Sequence, residues 1–422
     1  MVGVPGAVLM GLGSILGTGI FVSFGIAAGI AGPSVLVAVV LGAGVAACNG
    51  LSSAQLAASH PVSGGTYEYG YRYLGPTLGF VAGWLFLCAK SASAATAALG
   101  FGGYALAALG IADPAARIGA AVAAVAALTA IVAGGMTRSS RTNAVIVAVT
   151  LGALAAFVIA GAGTAAAGSA NLAGALGGAG ARPLLHATAL VFVAFTGYGR
   201  IATLGEEVRD PARTIPRAIV LALLATLVLY AAVIAVAVGA AGTAALADAT
   251  RTSGAPLEAA TARLPTPEVR YAVAAGAIAA MLGVLLNLLL GLSRVVLAMA
   301  RRGDLPPALA LIDARLASPR RAVAATGVAV GALALIGSVR VTWSFSAFTV
   351  LLYYAITNLA ALRLPAPHRR YPRWIAALGL CSCLGLAFWV EPAVWLAGLG
   401  LIGAGLLWHR VGPPRRWRHP RA

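Results

Sequence analysis

Apolar residues follow one another in long stretches along this chain, and short connectors between them hold most of its polar and charged positions. A helix needs roughly 20 mostly apolar residues to cross the about 30 Å of hydrocarbon in a bilayer. Stretches of that kind lie at 5–30, 33–58, 76–105, 115–135, 143–165, 184–207, 215–241, 268–300, 322–338, 343–362, 374–390 and 393–409. They predict an all-α integral membrane protein of about twelve transmembrane helices, with no room for a soluble domain between them.

Composition agrees with the pattern. Of 422 residues 60% are apolar and 9% charged, and the mean hydropathy is +0.93. The net charge of +18 does not indicate a nucleic-acid partner, because most of the basic residues sit in short connectors between apolar runs. Twenty arginines fall in the tail and connectors on one side, among them Arg138, Arg141, Arg213, Arg217, Arg301, Arg302, Arg369 and Arg370. The other side carries six: Arg117, Arg182, Arg251, Arg263, Arg270 and Arg340. Basic loops stay cytoplasmic, so both chain ends are expected there, with the protein in the cell membrane. No cleavable signal peptide is expected. The cysteines, Cys48, Cys88, Cys381 and Cys383, lie inside apolar runs without partners at metal spacing, so no metal, cofactor or disulfide is expected.

Two connectors are expected to matter. His60–Pro76 is polar, aromatic and glycine-rich, and Gly242–Pro267 is long enough to cover an entrance. Two helices are expected to be broken. Gly11-Leu-Gly-Ser-Ile-Leu-Gly-Thr-Gly19 lies within the first apolar run and Ala194-Phe-Thr-Gly-Tyr-Gly199 within the sixth. These positions correspond if the chain is two five-helix repeats of opposite topology, 1–165 and 184–362, followed by two helices at 374–409 and a basic tail at 410–422. Matched interruptions point to a midplane solute site. A break exposes amides that suit a carboxylate and carbonyls that suit an ammonium group, and it is tolerated only where it lines a cavity. Close packing of helices through glycine would produce the same letters.

The motifs Ile15-Leu-Gly-Thr-Gly-Ile-Phe21, Pro61-Val-Ser-Gly-Gly-Thr-Tyr67, Phe195-Thr-Gly-Tyr198 with Glu206-Glu207, Pro211-Ala-Arg-Thr-Ile-Pro-Arg-Ala-Ile219 and Ser293-Arg-Val-Val-Leu-Ala-Met-Ala-Arg-Arg-Gly-Asp-Leu-Pro306 resemble the amino acid–polyamine–organocation permeases. They span the first ten predicted helices in the family's order. The resemblance implies the leucine-transporter type of fold, with broken helices 1 and 6 and two extra C-terminal helices. It implies that the Gly17, Thr18 and Gly19 amides receive a substrate carboxylate. Carbonyls near Ile15, Leu16, Val193, Ala194 and Thr196 would receive its amine, and Phe192, Phe195 and Tyr198 would wall the site. Thr150 falls where many relatives place a coupling lysine, so lysine-based coupling is not carried over to that position; its hydroxyl is a coupling candidate as a sodium ligand, with helix packing as the alternative.

Lys90 is the only lysine in the chain. It lies about 21 Å along the third span at 1.5 Å per residue, near the midplane. Because every other basic residue is arginine, it is a candidate for proton exchange or for holding a substrate carboxylate, with helix packing as the alternative. Glu206, Glu207 and Arg213 are candidates for a gate at the cytoplasmic mouth. The expected function is secondary transport of an amino acid, proton-coupled or by exchange. Transport of a polyamine or other organic amine is the alternative, and a membrane enzyme or non-transporting sensor the different class. The expected partners are the amino acid, the lipid bilayer and protons.

Overall fold

The computed structural model describes residues 2–62, 64–135, 140–205, 207–313, 315–316 and 318–411. Within them the chain is helical, with isolated bridges at Val2–Val208 and Asp313–Ser318 in place of strands. Sixteen α-helices follow in order: α1 Val4–Ile15, α2 Phe24–Ala31, α3 Val35–Ser59, α4 Thr66–Tyr73, α5 Pro76–Ala108, α6 Pro114–Ala133, α7 Ser140–Ala167, α8 Ala181–Phe195, α9 Gly199–Ala202, α10 Pro211–Thr252, α11 Pro256–Thr261, α12 Glu268–Arg302, α13 Arg320–Ala334, α14 Val339–Leu362, α15 Arg373–Ala387 and α16 Pro392–Val411.

Among the described residues, 9 helical runs are long and apolar enough to cross a membrane, fewer than the twelve spans expected. The difference has two sources. The first run, Val4–Ser59, contains two passes, because Gly32 adopts φ 57° and the chain reverses through Gly32–Ser34. The other is length: α13 and α15, at 15 residues each, are shorter than a full span. This is a multi-pass integral membrane protein.

Contacts at the helix ends define two faces. On one, Val2 N–H donates to the Glu207 carbonyl, Arg302 pairs with Glu68, and Arg370 contacts the Gln55 side chain and the Ala212 carbonyl. On the opposite face, Arg117 donates to the carbonyls of Thr252 and Gly337, 3.0 Å each, and Arg340 pairs with Glu391 at 2.7 Å. We call the first the basic face, since it carries the larger share of arginines.

Local chemistry sets the boundaries. Asp113 caps α6 by accepting from Ala115 and Ala116 amides, with Pro114 in the first turn. α12 ends on Gly303 at φ 85°, and the amides of Gly303 and Asp304 return to the carbonyls of Ala300 and Met299 in the usual glycine-terminated pattern. Between spans, α5 packs on α12 and α14, α3 on α8 and α10, and α7 on α10 and α12. Small residues allow this approach; a Cβ at Gly276 of α12 would come within 2.5 Å of Ala153 of α7.

Both notable connectors are folded. The segment expected as a loop at His60–Pro76 contains α4, where Thr66 Oγ1 lies 2.7 Å from Thr357 Oγ1 of α14. In the other, α10 continues past a kink at Gly242 (φ 76°, ψ 160°), and α11 follows it. This cap covers α2 on the opposite face: a Cβ on Gly25 would meet Thr250 Oγ1 and Pro256. Tyr104 of α5 pins it further, donating to the Phe21 carbonyl and accepting from the Leu257 amide.

Candidate functional site

α1 stops at Ile15 because Leu16 turns extended, with ψ 107°, and five residues of π-helix, Gly19–Ser23, lead into α2. The second interruption differs in kind. α8 ends at Phe195 and tightens through a 3₁₀ turn, Thr196–Tyr198, into α9, so the backbone is overwound there rather than unwound. The two interruptions touch. A Cβ at Gly197 would overlap the Ser14 carbonyl, and one at Gly19 would lie 2.5 Å from Ala194 Cβ. Only glycine permits either approach. Tyr230 of α10 joins them as well, its hydroxyl 2.9 Å from the Ile15 carbonyl and 3.2 Å from the Ala194 carbonyl.

Beside this junction a cavity of about 390 Å³ runs toward the basic face. Its inner end is formed by Ser14 of α1, Lys90 and Phe86 of α5, and Thr196 and Gly197 of the 3₁₀ turn. α12 contributes a helical stripe, Val284, Asn287, Gly291, Arg294 and Ala298, whose spacing of three or four residues places them on one side. Asn143 of α7 and Tyr353 and Tyr354 of α14 complete the walls, and Gly64, Gly65 and Glu207 lie at the mouth. Lys90 Nζ donates to Thr196 Oγ1 at 3.2 Å, and Thr196 in turn donates to the Val193 carbonyl at 2.8 Å. Tyr354 donates to the Thr196 carbonyl at 3.2 Å.

Of the residues expected to bind substrate, Thr196 lines the cavity. Ile15, Leu16, Thr18, Val193 and Ala194 are buried immediately behind it, as are Gly17 and Gly19. A Cβ on Gly17 would come within 2.5 Å of Val284 Cγ2, so that α12 side chain stands between the first break and the open space. The aromatic residues form a closed layer: Phe192 and Tyr198 pack on Tyr354, and Phe195 packs on Tyr230. Lys90 faces the cavity. Thr150 is buried in α7 and its hydroxyl returns to the Ile146 carbonyl at 2.7 Å, which occupies its donor within its own helix. Glu207 lines the mouth, and Arg213 lies exposed outside it, 3.7 Å from Asp210. Glu206 lies outside the described residues, as does the tail beyond residue 411.

A second cluster borders the mouth. Asp304, fully buried at its side chain, accepts from Tyr67 (2.8 Å) and from Tyr71 (2.7 Å), and its carbonyl accepts from Trp408 of α16 at 2.9 Å. Arg302 stacks over the rings of Tyr67 and Tyr71 while pairing with Glu68 at 2.8 Å. Burial and the adjacent Asp304 carboxylate push the Tyr67 phenol well above its ordinary value, so it remains a donor. Sequence reasoning missed Tyr230, Asn143, Asn287 and the tyrosines of α14. Asn287, a lone amide within the apolar run Val284–Leu292, carried a readable signal; a tyrosine in such a run does not.

A bundle of membrane-spanning helices with a cavity at two touching helix interruptions is the architecture of a solute transporter. The profile described as "Amino acid permease" matches residues 6–416, and the chain belongs to that family. It is 44% identical over 404 residues to an uncharacterized transporter of Mycobacterium tuberculosis, covering 96% of this chain and 89% of the relative. A methylthioribose transporter of Bacillus subtilis is 30% identical over 342 residues, 77% of this chain and 72% of the relative. A branched-chain amino acid permease of the same organism is 30% identical over 328 residues, 74% and 69% respectively.

Proposed function

We propose that this chain is a secondary transporter that carries an amino acid across the cell membrane by alternating access, driven by proton coupling or exchange. The observation that carries this reading is the cavity at the junction of the two interrupted helices, where Ser14 and Thr196–Gly197 meet. In this reading the substrate carboxylate rests on the amides of Gly17, Thr18 and Gly19, at the start of the helix that follows the break. The ammonium rests on carbonyls near Ile15, Leu16, Val193, Ala194 and Thr196. Tyr230 already uses one lone pair of the Ile15 and Ala194 carbonyls, and each carbonyl has a second to offer. Movement of Val284 opens the path from the cavity to the first break, and Phe192, Phe195 and Tyr198 back the site.

The same reading makes 1–165 and 184–362 inverted repeats and the basic face cytoplasmic, with both chain ends on that side. Lys90 is then the group placed to exchange a proton or hold an anion. Thr150 supplies a hydroxyl only if it leaves its own helix, and Glu207 with Glu206 and Arg213 guards the mouth. A second reading, transport of a neutral organic solute, draws on the methylthioribose transporter among the relatives. A polyamine is disfavoured by the basic side chains lining the cavity.

The test is uptake and counterflow of radiolabelled amino acids by the purified chain in liposomes. Saturable accumulation of an amino acid is expected. Absence of both uptake and counterflow with every amino acid class would overturn the proposal.

A further inference from the structure

Three cationic side chains line the cavity: Lys90 at its inner end, Arg200 on the wall, and Arg294 nearer the mouth. Among the described lining residues the only carboxylate is Glu207, at the mouth. Among the described residues no carboxylate forms an ion pair within 4 Å of these three cations. Lys90 makes a single hydrogen bond among the described residues, to Thr196 Oγ1, which leaves two of its three N–H groups directed elsewhere. The guanidinium groups of Arg200 and Arg294 make no hydrogen bond to a described residue, and Glu207 acts on Arg200 only at longer range. Asn143 and Asn287 add amide donors along the same space.

We infer that the transported amino acid carries a second carboxylate on its side chain, and that Lys90 receives it. This rests on the amino acid reading above and names the substrate class of the same site. The argument is one of charge and position. An ammonium group held at this junction, as the reading above has it, would sit close to the Lys90 ammonium, because Lys90 bonds Thr196 Oγ1 of the same 3₁₀ turn. A neutral amino acid leaves that repulsion standing, and a cationic one adds to it. A side-chain carboxylate between the two cations removes it and forms charge-assisted hydrogen bonds with Lys90. Within a low-dielectric bundle, an unpaired charge is costly enough for such pairing to decide which substrate binds. Arg200 and Arg294 lie between this point and the basic face, so the route itself favours an anion.

The test uses the full chain in liposomes, with L-glutamate, L-aspartate, L-glutamine, L-asparagine, L-leucine and L-lysine as competitors of counterflow and as ligands for thermal stabilisation. Glutamate or aspartate is expected to compete at least tenfold better than its own amide, and lysine to compete worst. Lys90→Met is expected to lower the acid-to-amide competition ratio at least tenfold, and Lys90→Arg to retain much of it. Preference for leucine, lysine or either amide over the acids in the parent protein would overturn the inference and leave the transport reading standing. Failure of all six to bind or move would overturn both. An acid preference unchanged in inserted Lys90→Met would remove Lys90 from the role. Should that variant fail to insert, the parent's acid-to-amide ratio decides, with Arg200→Gln as the second variant, expected to weaken acidic substrates selectively.

Discussion

Single residues in this protein are constrained most tightly where backbones touch. Gly197 faces the Ser14 carbonyl, a main-chain group with no alternative rotamer. Gly197→Ala is therefore expected to force the two interruptions apart at a cost of about 1–3 kcal/mol. The measurement is thermal unfolding in detergent alongside uptake, and both should fall; an unchanged melting temperature would show that the junction yields easily. Gly17 meets the tip of Val284 instead, a side chain that can move. Gly17→Leu is accordingly expected to leave insertion intact and abolish transport, because the larger side chain fills the approach to the Gly17–Gly19 amides. Parental uptake by an inserted Gly17→Leu protein would exclude that backbone from the site. These glycines were legible as candidates because small residues clustered inside apolar runs. Tyr230 was not, since a tyrosine facing lipid and a tyrosine bridging two carbonyls read identically in sequence.

At the scale of helices, the apolar stretches predicted nearly every span, because bilayer thickness imposes a length on each one. What the pattern missed depends on contacts between distant segments. α4 looked like a loop because its stability comes from Thr357, Tyr353 and Asp304, all more than two hundred residues away in sequence. The opposite face has a similar tie, where Glu391 ahead of α16 meets Arg340 at 2.7 Å and His186 of α8 at 3.5 Å. Burial alone would raise the Glu391 carboxyl. The His186 imidazole, a backbone amide and the Arg340 guanidinium outweigh it and hold the group well below the usual carboxylate range. A depressed carboxyl stabilises the fold above its unfolded pKa, and that contribution is lost as pH falls through the folded one. Glu391→Gln is thus expected to lower the melting temperature at neutral pH, with the gap to the parent narrowing only under strongly acidic conditions. A pH series of melting temperatures checks this; a gap that does not change with pH would attribute the loss to packing.

For the whole molecule, the proposed recognition through main-chain groups predicts which part of a substrate is indispensable. Free amino acids should compete better than their methyl esters, because losing the anion forfeits charge-assisted hydrogen bonds of roughly 1.5–3 kcal/mol. That amounts to about tenfold to a hundredfold in apparent affinity, read from inhibition of counterflow; equal inhibition would argue against an α-carboxylate pocket. The place of the candidate cavity beside the two interruptions was legible in the paired glycine clusters. Its lining was not, because α5, α7, α12 and α14 each expose one stripe whose direction is settled only by packing. The hydroxyl of Tyr230 also has a consequence for tightness against leakage. It holds the Ile15 and Ala194 carbonyls together, so displacing either half-helix alone strands a polar atom in a dry interior. Under the proposed alternating access the two halves then move together, so arrangements in which both barriers have loosened at once, which would open a continuous water path for ions, are made rare. Tyr230→Phe should then raise passive proton permeability of the liposomes more than it lowers solute turnover, measured with an internal pH dye; a rise in neither would dissociate this tyrosine from sealing.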